Sequence, residues 1–325
     1  MRYRPLGQSG IEASVVGLGA WAIGGFNWGG TDEEAAVAAI RAAIDGGITL
    51  IDTAPVYGFG LSEEICGRAI EGRRDEVVLA TKCGIVWHTQ RGDHFFDGPP
   101  GPVYRYLGRD SIRHEIEQSL KRLRTDRIDL YQTHWQETTT RREETMGALL
   151  ELRAEGKIRA IGVSNCDMQQ IDEYLRAGVV DVDQERYSLL DRKLERNGQL
   201  AYCREHGISV FAYSPLEQGL LTGKVSANRD FPEGDMRRDS PRFSAENRQR
   251  MLDLLADLKP IADRHGLTYG QLTIAWTVAQ PGLTHALVGA RDADQARENA
   301  GAGDAELTED ELAQIDEAVR RHSPE

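Results

Sequence analysis

Ionisable and amide side chains recur along the 325-residue chain where short apolar runs stop. Asp52 closes one in LIDTAPVYG, Lys82 in LATKCG and His134 in DLYQTHW, while Ser164 and Asn165 end GVSN, Gln184 closes a sixth run, Tyr213 a seventh in FAYSP, and Arg291 follows the last. Singly, each has an ordinary structural use, since a carboxylate caps turns, a lysine lays its stem on apolar surface and a buried histidine finds a backbone partner. Brought to one place they mean more, because a buried Lys beside an Asp and a Tyr is costly unless the three hydrogen-bond.

Tyr57 lies five residues beyond Asp52. Beside Lys82 its phenol is expected to become more acidic, with Asp52 keeping the ammonium charged and oriented; that makes a general acid able to work near neutral pH. His134 is then placed to orient a carbonyl or share its proton. No nucleophile or metal set completes a hydrolytic or lyase mechanism, so the polarised carbonyl takes its electrons from elsewhere, and a nicotinamide is the simplest donor. Ser164, Asn165 and Gln184 can bond its carboxamide, and Tyr213 can stack on its ring. The phosphates fit the loop after Tyr213 and the next helix N-terminus. Arg291, just before a helix capped by Asp292 with Gln295, suits a 2′-phosphate and hence NADP(H).

Such a set needs a frame that gathers many segment ends. Eight β-branched runs alternate with amphipathic stretches: Val15 to Gly19, Ile48 to Asp52, Val77 to Thr81, Ile128 to Thr133, Ile158 to Ser164, Val180 to Gln184, Ile208 to Tyr213 and His285 to Gly289. Capping pairs precede the helices at Thr31 with Glu34, Thr140 with Glu143, Thr268 with Gln271 and Thr308 with Glu311. Ile112, Ile116, Leu120 and Leu123 form one apolar stripe, and Met251, Leu254, Leu255, Leu258 and Ile261 another, closed by Gly266. The fold class is α/β, a (β/α)8 TIM barrel in one domain over residues 1–325, with its site at the C-terminal strand ends. Residues 1–13, with a GQSG turn, read as a hairpin closing one end.

Two connections exceed an ordinary crossover, residues 83–108 and 214–243. The first carries Trp87, His88, His94, Phe95, Phe96, Tyr104 and Tyr106. It is too aromatic for a spacer, and with Trp21, Trp28, Tyr57 and Trp135 it is expected to wall a substrate pocket. GLGAWA at 17–22 matches the dinucleotide fingerprint G-x-G-x-x-A, but IGGFNWGG intervenes before any helix, and no acidic residue ends a second strand about 20 residues on, so a Rossmann domain is not supported.

The balance of 39 basic to 52 acidic residues leaves a net charge of −13, which argues against a nucleic-acid or anionic-membrane surface. No apolar signal segment or membrane span is present, and the expected setting is cytoplasmic. Cys66, Cys83, Cys166 and Cys203 are scattered, with neither disulfide nor metal spacing.

These motifs resemble the aldo-keto reductase superfamily along essentially the whole chain. LIDTAPVYG, ATKCG, KRLRTDRIDLYQTHW, KIRAIGVSN, FAYSPLEQGLLTGK and ALVGARDADQARENA stand in that family's order and spacing. Among subfamilies the chain is most similar to bacterial reductases of the inositol-utilisation and general-stress type. The resemblance implies a catalytic tetrad of Asp52, Tyr57, Lys82 and His134. It also implies cofactor contacts from Trp21, Asp52, Ser164, Asn165, Gln184 and Tyr213, from Ser214, Pro215, Leu216, Gly219, Leu221, Gly223 and Lys224, and from Gly289, Arg291, Gln295, Glu298 and Asn299. The substrate pocket would comprise Trp21, Trp28, Tyr57, Trp87, Phe95, Phe96 and Trp135. Cys166, where Phe commonly follows SN, and QERYSLL, in place of Q-x-x-Y-N-L, depart from the pattern close to the nicotinamide or substrate.

The implied activity is NADP(H)-dependent reduction of small aldehyde or ketone carbonyls, or oxidation of the alcohols, by a monomeric oxidoreductase acting on CH–OH donors, without metal. Sugars, aryl aldehydes and keto compounds fit alike. Two other readings stay open: a Schiff-base lyase through Lys82, and an NADPH-binding redox sensor with slow turnover.

Overall fold

In the computed structural model, which describes residues 1–322, the alternation of buried runs and amphipathic segments becomes a closed barrel. Two short strands, β1 (Tyr3–Pro5) and β2 (Glu12–Ser14), pair antiparallel across the GQSG turn. The chain continues through β3 (Val16–Gly19), α1 (Glu33–Asp45), β4 (Leu50–Asp52), α2 (Leu61–Ala69) and β5 (Val78–Cys83). An excursion follows, made of β6 (Ile85–Val86), β7 (Asp93–Gly98) and β8 (Gly101–Arg105). Alternation resumes with α3 (Arg109–Leu123), β9 (Ile128–Thr133), α4 (Arg142–Ala154), β10 (Ile158–Ser164), α5 (Met168–Ala177) and β11 (Val182–Arg186). Two short helices, α6 (Lys193–Arg196) and α7 (Gln199–Glu205), lead to β12 (Ser209–Tyr213). Past a long loop come α8 (Ala245–His265), α9 (Tyr269–Ala279), β13 (Leu283–Gly289), α10 (Ala293–Ala300) and α11 (Glu309–His322).

Strands β3, β4, β5, β9, β10, β11, β12 and β13 follow one another around the barrel, every neighbouring pair parallel, as the eight-unit reading expects. Their boundaries shift slightly. β5 runs on to Cys83, and β11 starts at Val182 and passes Gln184, so Lys82 and Gln184 sit inside paired strands rather than at their last residues.

The barrel interior is built in layers. Leu50, Val78, Ala80, Leu130, Ala160, Val182, Phe211 and Leu287 pack together, and Leu6, Ile11 and Ala13 of the N-terminal hairpin seal them from below. A second, larger apolar cluster lies between the outer strand faces and the helices, and includes Ile112, Ile116 and Leu123 of α3.

Two helix starts differ from expectation. Asp32 rather than Thr31 caps α1, its carboxylate accepting the Ala35 N–H at 3.0 Å. α4 begins without a side-chain cap: Thr140 is drawn inward, its N–H bonded to Glu137, and Glu143 and Glu144 in the first turn offset the helix dipole instead. The boxes at Thr268–Gln271 and Thr308–Glu311 form as expected, and Gly266 ends α8 in the left-handed conformation. Residues 83–108 are not a plain loop, because β8 pairs antiparallel with both β6 and β7 in a small sheet over the barrel mouth. A 3-10 turn, not an α-helix, follows β3, which removes the context a Rossmann fingerprint requires.

Candidate active site

Two residues above the apolar floor, the inward face of the barrel turns polar. Asp52 ends β4 and Lys82 lies in β5, both essentially out of solvent. The Lys82 Nζ donates to Asp52 Oδ2 at 2.6 Å, to the Thr53 carbonyl at 3.0 Å and to Tyr57 Oη at 3.3 Å. The other carboxylate oxygen of Asp52 accepts from Gln184 Nε2 at 2.8 Å and Gln132 Nε2 at 3.1 Å. The ion pair is thus fully surrounded by partners, which a buried charge needs.

Tyr57 reaches this layer from the turn between β4 and α2. That turn packs against the 3-10 turn after β3 so closely that a Cβ on Gly58, at φ +67°, would lie 2.1 Å from the Gly24 carbonyl oxygen. Only glycine permits that approach. His134, just past β9, is fixed by its own N–H on the Cys83 carbonyl at 2.9 Å, and its ring meets the Tyr57 ring edge-on at 5.7 Å between centroids. The expected tetrad therefore comes together in space.

Its electrostatics differ from the sequence expectation. Burial, reinforced by the Asp52 charge, pushes the Tyr57 phenol well above its ordinary value rather than below it. The Lys82 ammonium is lowered by burial against the pull of Asp52, and the His134 imidazole is held well below its usual range by burial and by Lys82, hence neutral. The correction has a physical cause: burial disfavours the phenolate most, and the Asp52 carboxylate, held 2.6 Å from the Lys82 ammonium, adds to it. A high value keeps the phenol loaded with its proton, the form a general acid needs before reaction.

A cavity of about 1140 Å³ opens over this layer. Trp21, Trp28, Phe95, Phe96 and Trp135 line it beside Tyr57 and His134; Trp87 does not, packing on Phe59 at 5.3 Å instead. Along the other wall lie Ser164, Asn165, Gln184, Tyr213, Ser214, Pro215, Leu216, Gly219, Lys224, Gly289, Arg291, Gln295, Glu298 and Asn299. Leu221 and Gly223 stand outside that wall: Leu221 is fully buried in the core, and Gly223, at φ +72°, allows a close approach of Tyr269. They shape the loop from behind. Cys166 and Ser188 do not line the cavity either, so the two departures from the family pattern fall in supporting positions; Ser188 Oγ donates to Glu217 at 2.6 Å.

Sequence reading missed several residues. Gln132, a ligand of Asp52, was detectable as an amide two positions after inward-facing Leu130. Phe26, Asn27, Arg186, Gln218, Arg229 and Arg237 also line the cavity. Arg237 owes its place to pairing between distant loops: Trp28 bridges Asp235, Met236 N–H donates to Asn27 at 3.0 Å, and Arg237 binds Asp235 and stacks 5.0 Å over Trp28.

The donor set fits a dinucleotide. Amide and hydroxyl groups meet an aromatic face at one end, with Tyr213 Oη bonded to Asn165 Oδ1 at 2.9 Å. The lining also carries Arg186, Lys224, Arg229, Arg237 and Arg291; Arg186 stands beside Tyr213 and binds Glu217, and Arg237 binds Asp235, while Lys224, Arg229 and Arg291 suit phosphates. Arg291 is already tied to the Trp28 and Gly30 carbonyls at 3.3 and 2.7 Å, joining α10 to the loop after β3.

Residues 15–320 match the model of the aldo/keto reductase family. The chain is 43% identical over 298 residues to aldo-keto reductase YhdN of Bacillus subtilis, covering 91% of this chain and 86% of that one. It is also 43% identical over 330 residues to the NADH-specific methylglyoxal reductase of Escherichia coli, covering 99% and 100%. Among solved structures, the glycerol dehydrogenase AKR11B4 from Gluconobacter oxydans superposes with a TM-score of 0.87 at 37% identity, over 97% of this chain and 94% of that one. An aldo/keto reductase from Klebsiella pneumoniae in complex with NADP and acetate gives 0.75 at 32%, over 98% and 95%.

Proposed function

The chain belongs to the aldo-keto reductase family, and from that premise we propose that it is an NADP(H)-dependent oxidoreductase acting on CH–OH donors, reducing small aldehydes or ketones or oxidising the corresponding alcohols. The observation that carries the proposal is the chain of contacts from Asp52 through Lys82 to the Tyr57 hydroxyl, beside a neutral His134 at the mouth of one large cavity. When bound, the reduced nicotinamide supplies the hydride. Tyr57 holds a proton on Oη and passes it to the substrate oxygen as charge develops there. Lys82 stabilises the phenolate left behind, and Asp52 keeps the ammonium charged in a site where burial disfavours it. His134 donates a ring N–H to the same oxygen. Trp21, Trp28, Phe95, Phe96 and Trp135 exclude water and accept the apolar part of the substrate.

Ser164, Asn165 and Gln184 would hold the carboxamide, Tyr213 the ring face, and the loop from Ser214 to Lys224 the phosphates. Arg291 supports NADP(H). The related E. coli reductase is NADH-specific, whereas the Klebsiella pneumoniae relative holds NADP; Arg291 in the cavity wall favours NADP(H) here. Four free, buried cysteines are in keeping with a cytoplasmic setting. A Schiff-base role for Lys82 is disfavoured because its ammonium already has three partners.

Replacing Tyr57 with Phe tests the proposal. NADPH oxidation with benzaldehyde or methylglyoxal should fall by about 10²–10⁴-fold, while NADPH binding, followed by protein fluorescence, persists. Parental turnover in that variant would remove the phenol from the mechanism.

A further inference from the structure

Strand β11 turns Gln184 toward Asp52 inside the barrel, so Asp183 and Glu185 face outward, toward the helices. Neither carboxyl has a part in the reaction described above, yet both hold Cys166, the residue that follows Asn165 of the cavity wall, directly or through Gln199. Glu185 Oε1 accepts the Cys166 backbone N–H at 2.7 Å. Gln199, the first residue of α7, donates from Nε2 to the Cys166 carbonyl at 2.9 Å and to Asp183 Oδ2 at 2.8 Å. Cys166 is thereby gripped at both of its main-chain groups by side chains from two different elements.

The residue before it is held by that grip from the far side. Asn165 stands at φ +54°, in the left-handed region that asparagine tolerates better than most residues with a side chain. From there it donates to the His134 carbonyl at 2.9 Å and accepts the Tyr213 hydroxyl at 2.9 Å. One corner thus couples the ring-stacking tyrosine to the strand end that carries the histidine. Burial raises both Asp183 and Glu185, which favours holding a proton between them over two buried charges. A Glu185 acid donates to Asp183 and still accepts the Cys166 N–H.

We propose that Glu185, with Asp183 and Gln199 behind it, is a positioning residue: it fixes the Asn165 corner and, through it, the depth at which the nicotinamide lies against Tyr213 and faces the substrate. This role rests on the Tyr57-centred function proposed above.

The test compares Glu185→Ala with Glu185→Gln in the full chain, with NADPH and benzaldehyde, by steady-state kinetics and by the primary isotope effect of NADPH deuterated at the nicotinamide carbon that gives up hydride. In Glu185→Ala, kcat should fall roughly 10–100-fold and the isotope effect rise, as expected for a misplaced reacting pair, while KM for NADPH changes by less than about threefold because the phosphate wall is untouched. Glu185→Gln keeps an acceptor oxygen and a donor to Asp183, and should stay within about threefold of the parent. Parental kcat and isotope effect in Glu185→Ala would overturn the role, and so would equal losses in both variants. If Glu185→Ala does not fold, Gln199→Met, which releases the other grip, carries the same expectation. Tyr57→Phe run alongside separates two failures: if it also keeps parental turnover the catalytic reading has failed, whereas if it is inactive and Glu185→Ala is not, only the positioning role has.

Discussion

Two layers of the barrel interior, one step apart on the same strands, behave in opposite ways. Leu50, Ala80, Leu130 and Val182 belong to the floor; two residues further along, on the same inward face, stand Asp52, Lys82, Gln132 and Gln184. The vertical distance is only about 7 Å. The floor is apolar, sealed by the hairpin, and stabilised by burial that asks for no particular partner. The layer above needs each group to meet its one complement, and an ion pair buried there gains little over well-packed hydrocarbon. Stability alone would favour continuing the floor upward, so the polar layer marks where the fold gives up stability for chemistry.

Breaking the pair gives the largest effect. Lys82→Met leaves the Asp52 carboxylate buried with only two amide donors, and should lower unfolding free energy in urea by about 3–5 kcal/mol. The double variant Asp52→Leu with Lys82→Met should recover most of that loss and remain inactive. If the double variant is no more stable than the single, the two charges are not coupled as the geometry indicates. On the floor, Leu130→Ala should cost about 2–5 kcal/mol through the cavity it creates. Its turnover per folded molecule, measured below the unfolding transition, should stay near the parent's. A fall in kcat of the same size as that of a polar-layer variant would erase the distinction between the layers.

Much of this contrast is legible in the amino-acid sequence. The periodic runs locate all eight barrel strands, because burial on both faces leaves a continuous apolar signature, and Asp52, Lys82 and His134 stand out as ionisable groups where such runs stop, whereas Tyr57 lies in the turn after β4. The direction of titration is not legible. An acidic Tyr57 follows from the ammonium alone, whereas the outcome depends on burial and on the Asp52 countercharge. Nor does local pattern place Arg237 in the cavity or Trp87 outside it. The first depends on loops about 200 residues apart in sequence pairing at Trp28 and Asp235, and the second on β6, β7 and β8 forming a sheet within what reads as a loop.

A buried acid outside both layers sharpens the comparison further. Glu115 of α3 accepts the Gly84 N–H at 2.9 Å and the Ser111 hydroxyl at 3.1 Å, and burial pushes it up to about 8. Its folded value lies above its unfolded one, so the stability it contributes is full below the ordinary carboxyl range and is lost as pH rises toward about 8. Melting temperature should therefore decline over that window, by an amount corresponding to a few kcal/mol at most, and Glu115→Gln should flatten the decline while leaving kcat in place. A slope unchanged in Glu115→Gln would assign it to other buried carboxyls, Asp183 and Glu185 among them.

The smallest expected effect lies at the far end of the cavity, where neither layer reaches. Arg291 has two uses that a single measurement would confuse: it ties α10 to the Trp28 and Gly30 carbonyls, and it faces the place where a 2′-phosphate would lie. Arg291→Ala removes both. Loss of the tie loosens the loop after β3 for either cofactor, so it should weaken NADPH and NADH together. Loss of the charge affects only the phosphorylated one. The ratio of kcat/KM for NADPH over NADH therefore isolates the second use, and should fall by roughly tenfold, the range of one charge-assisted contact of about 1.4 kcal/mol. If both cofactors weaken equally and the ratio holds, Arg291 serves only as a tie, and any preference for NADP(H) must come from Lys224 or another cation of that wall.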